Sequence, residues 1–405
     1  MTELDPRQEK GMQIASTKRI KKAGKLWIVP SQTHGGSYVV DVKAHSCSCP
    51  DYETRGCTCK HQYAVEFTRH RVFRSDGTIL TTNTVRVTYT QDWPSYNAAQ
   101  TQEKEVVEAL LKGLCDGITQ PPQHGRGRPR LPLSDIVFGN VMKTYSTWSG
   151  RRASTDIRDC REKGHITCNP HYNTLFLHME QPELAPLLKT LIEESTQPLR
   201  AVETTFAVDS TGFSTSVYNR WFDHKYGREM KKAKYLKAHY AVGTVTNIVT
   251  AVEVTQGDVA DCPELPELVK TTAKHFDVVD VSADKAYLSY GNLDAIAELG
   301  AVPYIPFKIN STSDGSKQWR KLWHLFNYKK DEFLEHYHQR SNVECTFSAV
   351  KRKLGGAVRS KAYAAQVNEI LCKILCHNLA VLVHARHELG IEAVFAAPEG
   401  QAVAS

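Results

Sequence analysis

Apolar positions along this chain follow two different periods, and the change between them marks its organisation. In "LWIVPS" and "SYVVDVKA", on either side of the turn residues "THGG", apolar side chains alternate with polar ones, which reads as two short strands. "HQYAVEFTRHR" (61–71) continues as a helix. Apolar residues at 106, 107, 110, 111 and 114 predict an amphipathic helix over 103–115. It stops at "DGITQPPQHGRGRPRLP", too rich in Pro and Gly for regular structure. Ser134 or Asp135 can cap a helix with Val137, Val141, Tyr145 and Trp148 along one face, and 182–195 predicts another. The pattern then changes to strands at 204–210, 238–245, 248–255, 277–284 and 301–307, with helices near 262–274 and 290–298. A tight turn at Asn247 followed by strand–helix–strand units predicts an α/β (α+β multidomain) chain with a mixed sheet flanked by helices.

These patterns divide the chain into a loose polar tail (1–20), a small module (21–75), and a linker with one helix (76–130). A helical region (131–200), a sheet domain (201–385) and a C-terminal tail (386–405) follow. No apolar run looks long enough to span a bilayer, and "MTELDPRQEK" lacks the basic-then-apolar order of a signal peptide. A soluble, cytoplasmic protein is expected.

Charge adds a location. Residues 308–361 hold twelve Lys and Arg against five Asp and Glu, a balance of +7 that equals that of the whole chain. "NRWFDHKYGREMKKAKYLK" (219–237) interleaves basic and aromatic residues, with His224 and Lys225 at its centre. Local positive fields of this kind suit a polyanion, and a solvated basic surface is the other reading.

Four of the eleven cysteines lie between Cys47 and Cys59. In "CSCPDYETRGCTCKH", Cys47, Cys49, Cys59 and His61 supply three thiolates and an imidazole, a set suited to a closed structural Zn²⁺ site. Cys57 is the alternative to His61 as fourth ligand. A hairpin followed by C-x-C and C-x-H resembles the SWIM-type zinc module. "GRGRPR" (125–130) resembles an AT-hook core, in which Arg126 and Arg128 would enter a narrow minor groove. A basic linker accounts for the same residues.

Two aspartates close apolar strands: Asp209 in "FAVDSTGF" and Asp284 in "DVVDVSADKAY". Singly, each reads as a turn or cap residue. A third acid, Glu344, stands in "EHYHQRSNVECTFSAVKRKLGG" (335–356). On an uninterrupted helix, Tyr337, Arg340, Glu344 and Lys351 share a stripe about 60° wide. Solvated charge runs spread around a helix instead.

Tyr337-x2-Arg340-x3-Glu344-x6-Lys351 resembles the signature of a large group of bacterial and archaeal insertion-sequence transposases, DDE enzymes with an RNase H-like core. "FAVDSTGF" and "ADKAYLS" resemble the segments around that group's first and second aspartates. The likeness runs from about residue 97 to about 385, and a SWIM module is an addition to the group's common core. The resemblance implies an RNase H-like sheet and a helical DNA-binding region. It implies Asp209, Asp284 and Glu344 as catalytic ligands of Mg²⁺ (or Mn²⁺), with Tyr337, Arg340 and Lys351 on DNA. The activity implied is cleavage at transposon ends and strand transfer, by a homodimer in the reaction complex, associated with the nucleoid when bound to DNA. Two other readings fit the same residues: a non-catalytic DNA-binding protein derived from a transposase, and a metal-dependent nuclease.

Overall fold

The computed structural model describes residues 5–32, 35–69, 71–73, 79–81, 92–123, 127, 129–215, 235–308 and 310–395. They form two compact units, Met1–Thr90 and Gln91–Ser405.

In the first unit, helix α1 (Pro6–Thr17) precedes strands β1 (Lys21–Ala23), β2 (Leu26–Pro30), β3 (Ser37–Asp41) and β4 (Ser46–Cys47). The strands form an antiparallel sheet in sequence order. Helices α2 (Pro50–Arg55) and α3 (Lys60–Arg69) follow, then the antiparallel pair β5 (Arg71–Phe73) and β6 (Ile79–Thr81). The hairpin reading of 26–44 matches β2 and β3. The polar N-terminus is not loose, however. Asp5 accepts a hydrogen bond from the Arg7 N–H at 2.9 Å and caps α1, with Pro6 at its first position. Ile14 and Ala15 are buried with Val29, Val40, Ala64 and Val65. At Gly11 a Cβ would meet Tyr63 Cβ at 2.6 Å and the Lys60 carbonyl at 2.9 Å. The missing side chain is what lets α1 lie close on α3. Only these three α1 residues are buried, so the composition reads as a tail.

The second unit opens with α4 (Trp93–Asp116), which starts ten residues before the amphipathic stretch because Asp92 caps it through the Ser95 N–H. Helices α5 (Leu133–Tyr145), α6 (Gly150–Glu162), α7 (Tyr172–Met179) and α8 (Leu184–Thr196) come next. Asp135 does not cap α5. Its carboxylate accepts from the Thr167 N–H and hydroxyl and the Cys168 N–H, tying α5 to the loop after α6. Trp148 is not on the α5 stripe either; the helix ends at Tyr145 and the indole is exposed.

The sheet follows: β7 (Thr205–Ser214), β8 (Tyr235–Gly243), β9 (Val249–Gln256), helix α9 (Leu265–Ala273), β10 (Asp280–Ala283), α10 (Tyr290–Glu298) and β11 (Val302–Tyr304). Its order is β11-β10-β7-β8-β9. β7 to β9 form an antiparallel meander, and β10 and β11 run parallel to β7. This is the RNase H-like mixed sheet that the resemblance implies. Helices α11 (Lys317–Tyr328), α12 (Lys330–Tyr337), α13 (Ser341–Leu354) and α14 (Tyr363–Leu389) complete the unit.

The sheet is buried on both faces. Val208, Ala241, Ala251, Val281 and Ala283 pack under α9 to α12. Ala207, Tyr240, Val242 and Val252 pack against α4, α5, α8, α13 and α14. The helices before residue 200 therefore share one core with the sheet. Helix α14 is long and apolar enough by composition to cross a membrane, yet 89% of its most apolar window is buried inside the fold. Scattered polar residues hid its apolar length in the sequence, and they have work inside the fold. Asn378, fully buried, accepts from the Val249 N–H at 3.0 Å and donates to the Val249 carbonyl at 2.8 Å. Edge strand β9 thus has its backbone satisfied by a side chain.

Candidate active site and zinc module

Strand β7 carries Asp209 opposite Tyr240 of β8, where the apolar run of β7 gives way to "STG". In parallel β10, Ala283 is level with Val208, so Asp284 leaves the sheet at the level of Asp209. Asp284 follows the carboxyl-terminal end of β10, beside Asp209, which lies halfway along the neighbouring parallel strand β7. The third acid comes from a helix that the sequence reading drew as one piece. It is broken: α12 ends at Tyr337, residues 338–340 make a single 3₁₀ turn, and α13 starts at Ser341. The turn ends at Arg340, which faces Asp209 of the sheet.

Arg340 is the centre of the site. Its Nη1 donates to Asp209 Oδ2 at 2.6 Å and its Nη2 to Glu344 Oε1 at 3.0 Å. Its guanidinium lies 5.8 Å from the Tyr337 ring centroid, within range of a cation–π contact. The second Asp209 oxygen accepts from the Ser210 N–H at 2.8 Å. Burial pushes the Asp209 carboxyl above its usual range. The Ser210 N–H and Arg340 oppose this, and the charges of Asp284 and Glu344 push it further up. The three carboxylates are thus close enough to feel one another.

Glu344 is mostly exposed, with 62% of its side chain open to solvent, whereas Asp209 is 20% exposed. The Glu344–Arg340 contact is therefore cheap to break. Three hard oxygen donors at a strand edge fit a divalent cation such as Mg²⁺. Arg340 now stands between two of them. Among the described residues, the group whose ligand atoms lie within 4.8 Å of one another is a different one, the zinc cluster below.

Lys351 reaches the same strand. Its Nζ donates to Thr211 Oγ1 at 2.5 Å and lies 5.5 Å from the Phe213 ring centroid. Burial lowers its pKa. Thr211 went unremarked in the sequence, although it follows Asp209 by two and so shares its face of the strand. Tyr287 was also missed. It is buried behind the site, and burial first, then the charges of Asp209 and Asp261, push its hydroxyl pKa up. Arg126, Arg128, His224 and Lys225 lie outside the described residues.

In the first unit, Cys47, Cys49, Cys59 and His61 are all buried, with one ligand atom from each within 4.8 Å of the others. β4 supplies Cys47, Cys49 caps α2, and His61 opens α3. The neighbouring Cys47 and Cys59 sulfurs favour a Cys59 thiolate and a protonated Cys47 thiol. His61 Nε2 is buried without a hydrogen-bond partner, an orphan that a metal would satisfy. Cys57 stands apart, with the Arg7 guanidinium 3.0 Å from its sulfur. The four clustered residues fit a structural Zn²⁺.

Comparison with known families gives two matches. Residues 200–379 match the family model described as the transposase DDE domain, and residues 38–70 match that of the SWIM zinc finger. The DDE match begins just before β7 and ends within α14, so it takes in Asp209, Asp284 and Glu344. The SWIM match takes in all four zinc-site residues. A search of curated proteins and of solved structures found no match.

Proposed function

We propose that the protein is a DNA transposase that cuts at the ends of its own element and joins them to target DNA. The observation that carries this reading is Arg340 bridging Asp209 and Glu344 at the strand edge where Asp284 emerges. Asp209, Asp284 and Glu344 are assigned as the carboxylates that hold the catalytic cations. Bound there, two Mg²⁺ or Mn²⁺ ions would stabilise the attacking and departing oxygens of an in-line phosphoryl displacement.

The remaining roles belong to the chain itself. Arg340 keeps two carboxylates together against their repulsion and exchanges Glu344 for a DNA phosphate when substrate arrives. Lys351 holds a second phosphate beside β7. Tyr337 braces the Arg340 guanidinium and offers a ring to DNA. The nucleophile is water for cleavage and a DNA 3′-hydroxyl for strand transfer, so no side chain forms a covalent intermediate. Arg126 and Arg128 are assigned to DNA at the linker. Two ends have to be held at once, which calls for a homodimer in the reaction complex. Such a protein works in the cytoplasm, on the nucleoid.

The test is a strand-transfer assay with paired element ends, a plasmid target and Mg²⁺. Joined products are the expected result. Cleavage without joining would make the protein a nuclease, and neither activity would make it a DNA-binding relative of transposases.

A further inference from the structure

Beside the candidate active site lies an open groove of about 820 Å³, lined by residues 354–361, the start of α14, and the end of α5 with Trp148. Its lining is basic. Lys143, Arg359, Lys361 and Lys373 face a single acid, Glu369. That acid is engaged by its own loop, accepting from the Arg359 and Ser360 N–H groups and the Ser360 hydroxyl. Lys373 is almost fully buried beneath, donating to the Gly355 and Ala357 carbonyls at 2.8 and 2.7 Å. The side chains of Lys143, Arg359 and Lys361 make no ion pair among the described residues.

Trp148 stands at the mouth, 54% exposed. The residue before it, Thr147, has φ 56°, the left-handed region that a β-branched side chain avoids. Arg359 donates to the Thr147 carbonyl at 2.5 Å and holds that turn. The indole is therefore presented by a strained turn that the basic loop itself secures.

Strand β7 and Lys351 link the groove to Asp209. Lys351 touches Thr211, two residues beyond Asp209, and its side chain also lies 3.7 Å from where a Gly356 side chain would begin. Ser214, at the end of β7, exchanges backbone hydrogen bonds with Gly356 and Val358. From Asp209 to Thr215 the strand covers about 20 Å at about 3.3 Å per residue. A DNA strand spans that distance in about six bases.

We infer that this groove binds an unpaired nucleotide of the DNA strand that flanks the cut. The base would stack on Trp148 and the phosphates would lie against Lys143, Arg359 and Lys361. The volume suits a nucleotide-sized ligand, within the range of about 300–1,000 Å³ of small-ligand sites, and is too small for a duplex. Aromatic stacking plus a basic track is how single strands are held without sequence preference. The inference rests on the transposase reading for its DNA partner, not for its chemistry.

The experiment uses the full-length protein without divalent metal, so that only binding is read. The probes are a fluorescent duplex ending in a short single-stranded thymidine arm and the same duplex with a blunt end. Wild type should prefer the armed duplex. Trp148→Ala should lose about tenfold in affinity for the armed duplex, the effect of one stacked base, and nothing for the blunt one. Trp148→Phe should keep most of the preference. Lys361→Glu, at an exposed position that leaves the fold intact, should weaken the armed complex and flatten its salt dependence. No arm preference in wild type, or equal losses on both duplexes in Trp148→Ala and Lys361→Glu, would overturn the inference. Arm binding by a protein that never cuts DNA would sink the transposase reading and leave this one standing.

Discussion

The Arg340 guanidinium joins Asp209 and Glu344, at 2.6 and 3.0 Å, across 131 residues of sequence in one case and a single helical turn in the other. It supplies the positive charge beside Asp209, whose proton affinity burial and the charges of Asp284 and Glu344 raise.

Removing it therefore has a signature. Arg340→Ala leaves Asp209 with the Ser210 N–H as its remaining donor, still facing Asp284 and Glu344. The metal-free protein should lose about 1–3 kcal/mol of stability, the range for a lost hydrogen bond to a charged group. Mn²⁺ should restore most of the melting temperature, because a cation replaces the guanidinium charge. DNA cleavage should stay impaired, because the phosphate contact is gone. Thermal unfolding with and without Mn²⁺, alongside a cleavage assay, reads both effects.

Lys351 should act through phosphate. Lys351→Ala removes a cation whose Nζ rests on Thr211. Binding should weaken across all DNA sequences, with the slope of log Kd against log salt reduced by about one. Loss confined to one sequence would point to base contact instead.

The zinc module makes a ligand-by-ligand prediction. Purified protein should carry one Zn²⁺ per chain, measured by mass spectrometry of the metal. Cys59→Ser should abolish it and unfold the first unit, since Cys47, Cys49 and Cys59 belong to the core that Ile14, Val29 and Val65 share. Cys57→Ser should retain it, because Cys57 lies outside the cluster. Zinc loss in Cys57→Ser with retention in His61→Ala would reverse the assignment.

A pH dependence follows from His377. The imidazole is buried in α14 and its Nε2 donates to the Asn247 carbonyl at 2.9 Å. Burial pulls its pKa down to about 4, while the unfolded chain keeps the usual value of about 6.5. Between these two values the unfolded state binds the extra proton. Stability present above about pH 6.5 is therefore lost as pH falls toward 4, by on the order of 3 kcal/mol from this residue. Chemical denaturation from pH 4 to 7 should show a flatter profile in His377→Gln than in wild type.

Much of this was legible in the sequence because strands announce their ends. Asp209 and Asp284 each close an apolar run at an abrupt change of pattern, and the strand–turn and strand–helix junctions pointed to a mixed sheet flanked by helices. Other features depend on contacts that periodicity does not encode. The helical wheel assumed one unbroken helix, whereas residues 338–340 form a 3₁₀ turn between two helices. Helix α1 hid because its buried face is Gly, Ile and Ala, and Trp148 looked like the end of an apolar stripe. Lys351 and Thr211 are 140 residues apart, and no local pattern links them.

The most direct measurement of the central assignment is cleavage of DNA carrying the element ends in Mg²⁺, wild type against Asp284→Ala. Asp284 makes no ion pair among the described residues, so its loss leaves the Arg340 bridge in place. The account predicts strand cuts at the element ends by wild type and none by Asp284→Ala, with end binding largely unchanged. Cutting by Asp284→Ala at the wild-type rate would contradict it.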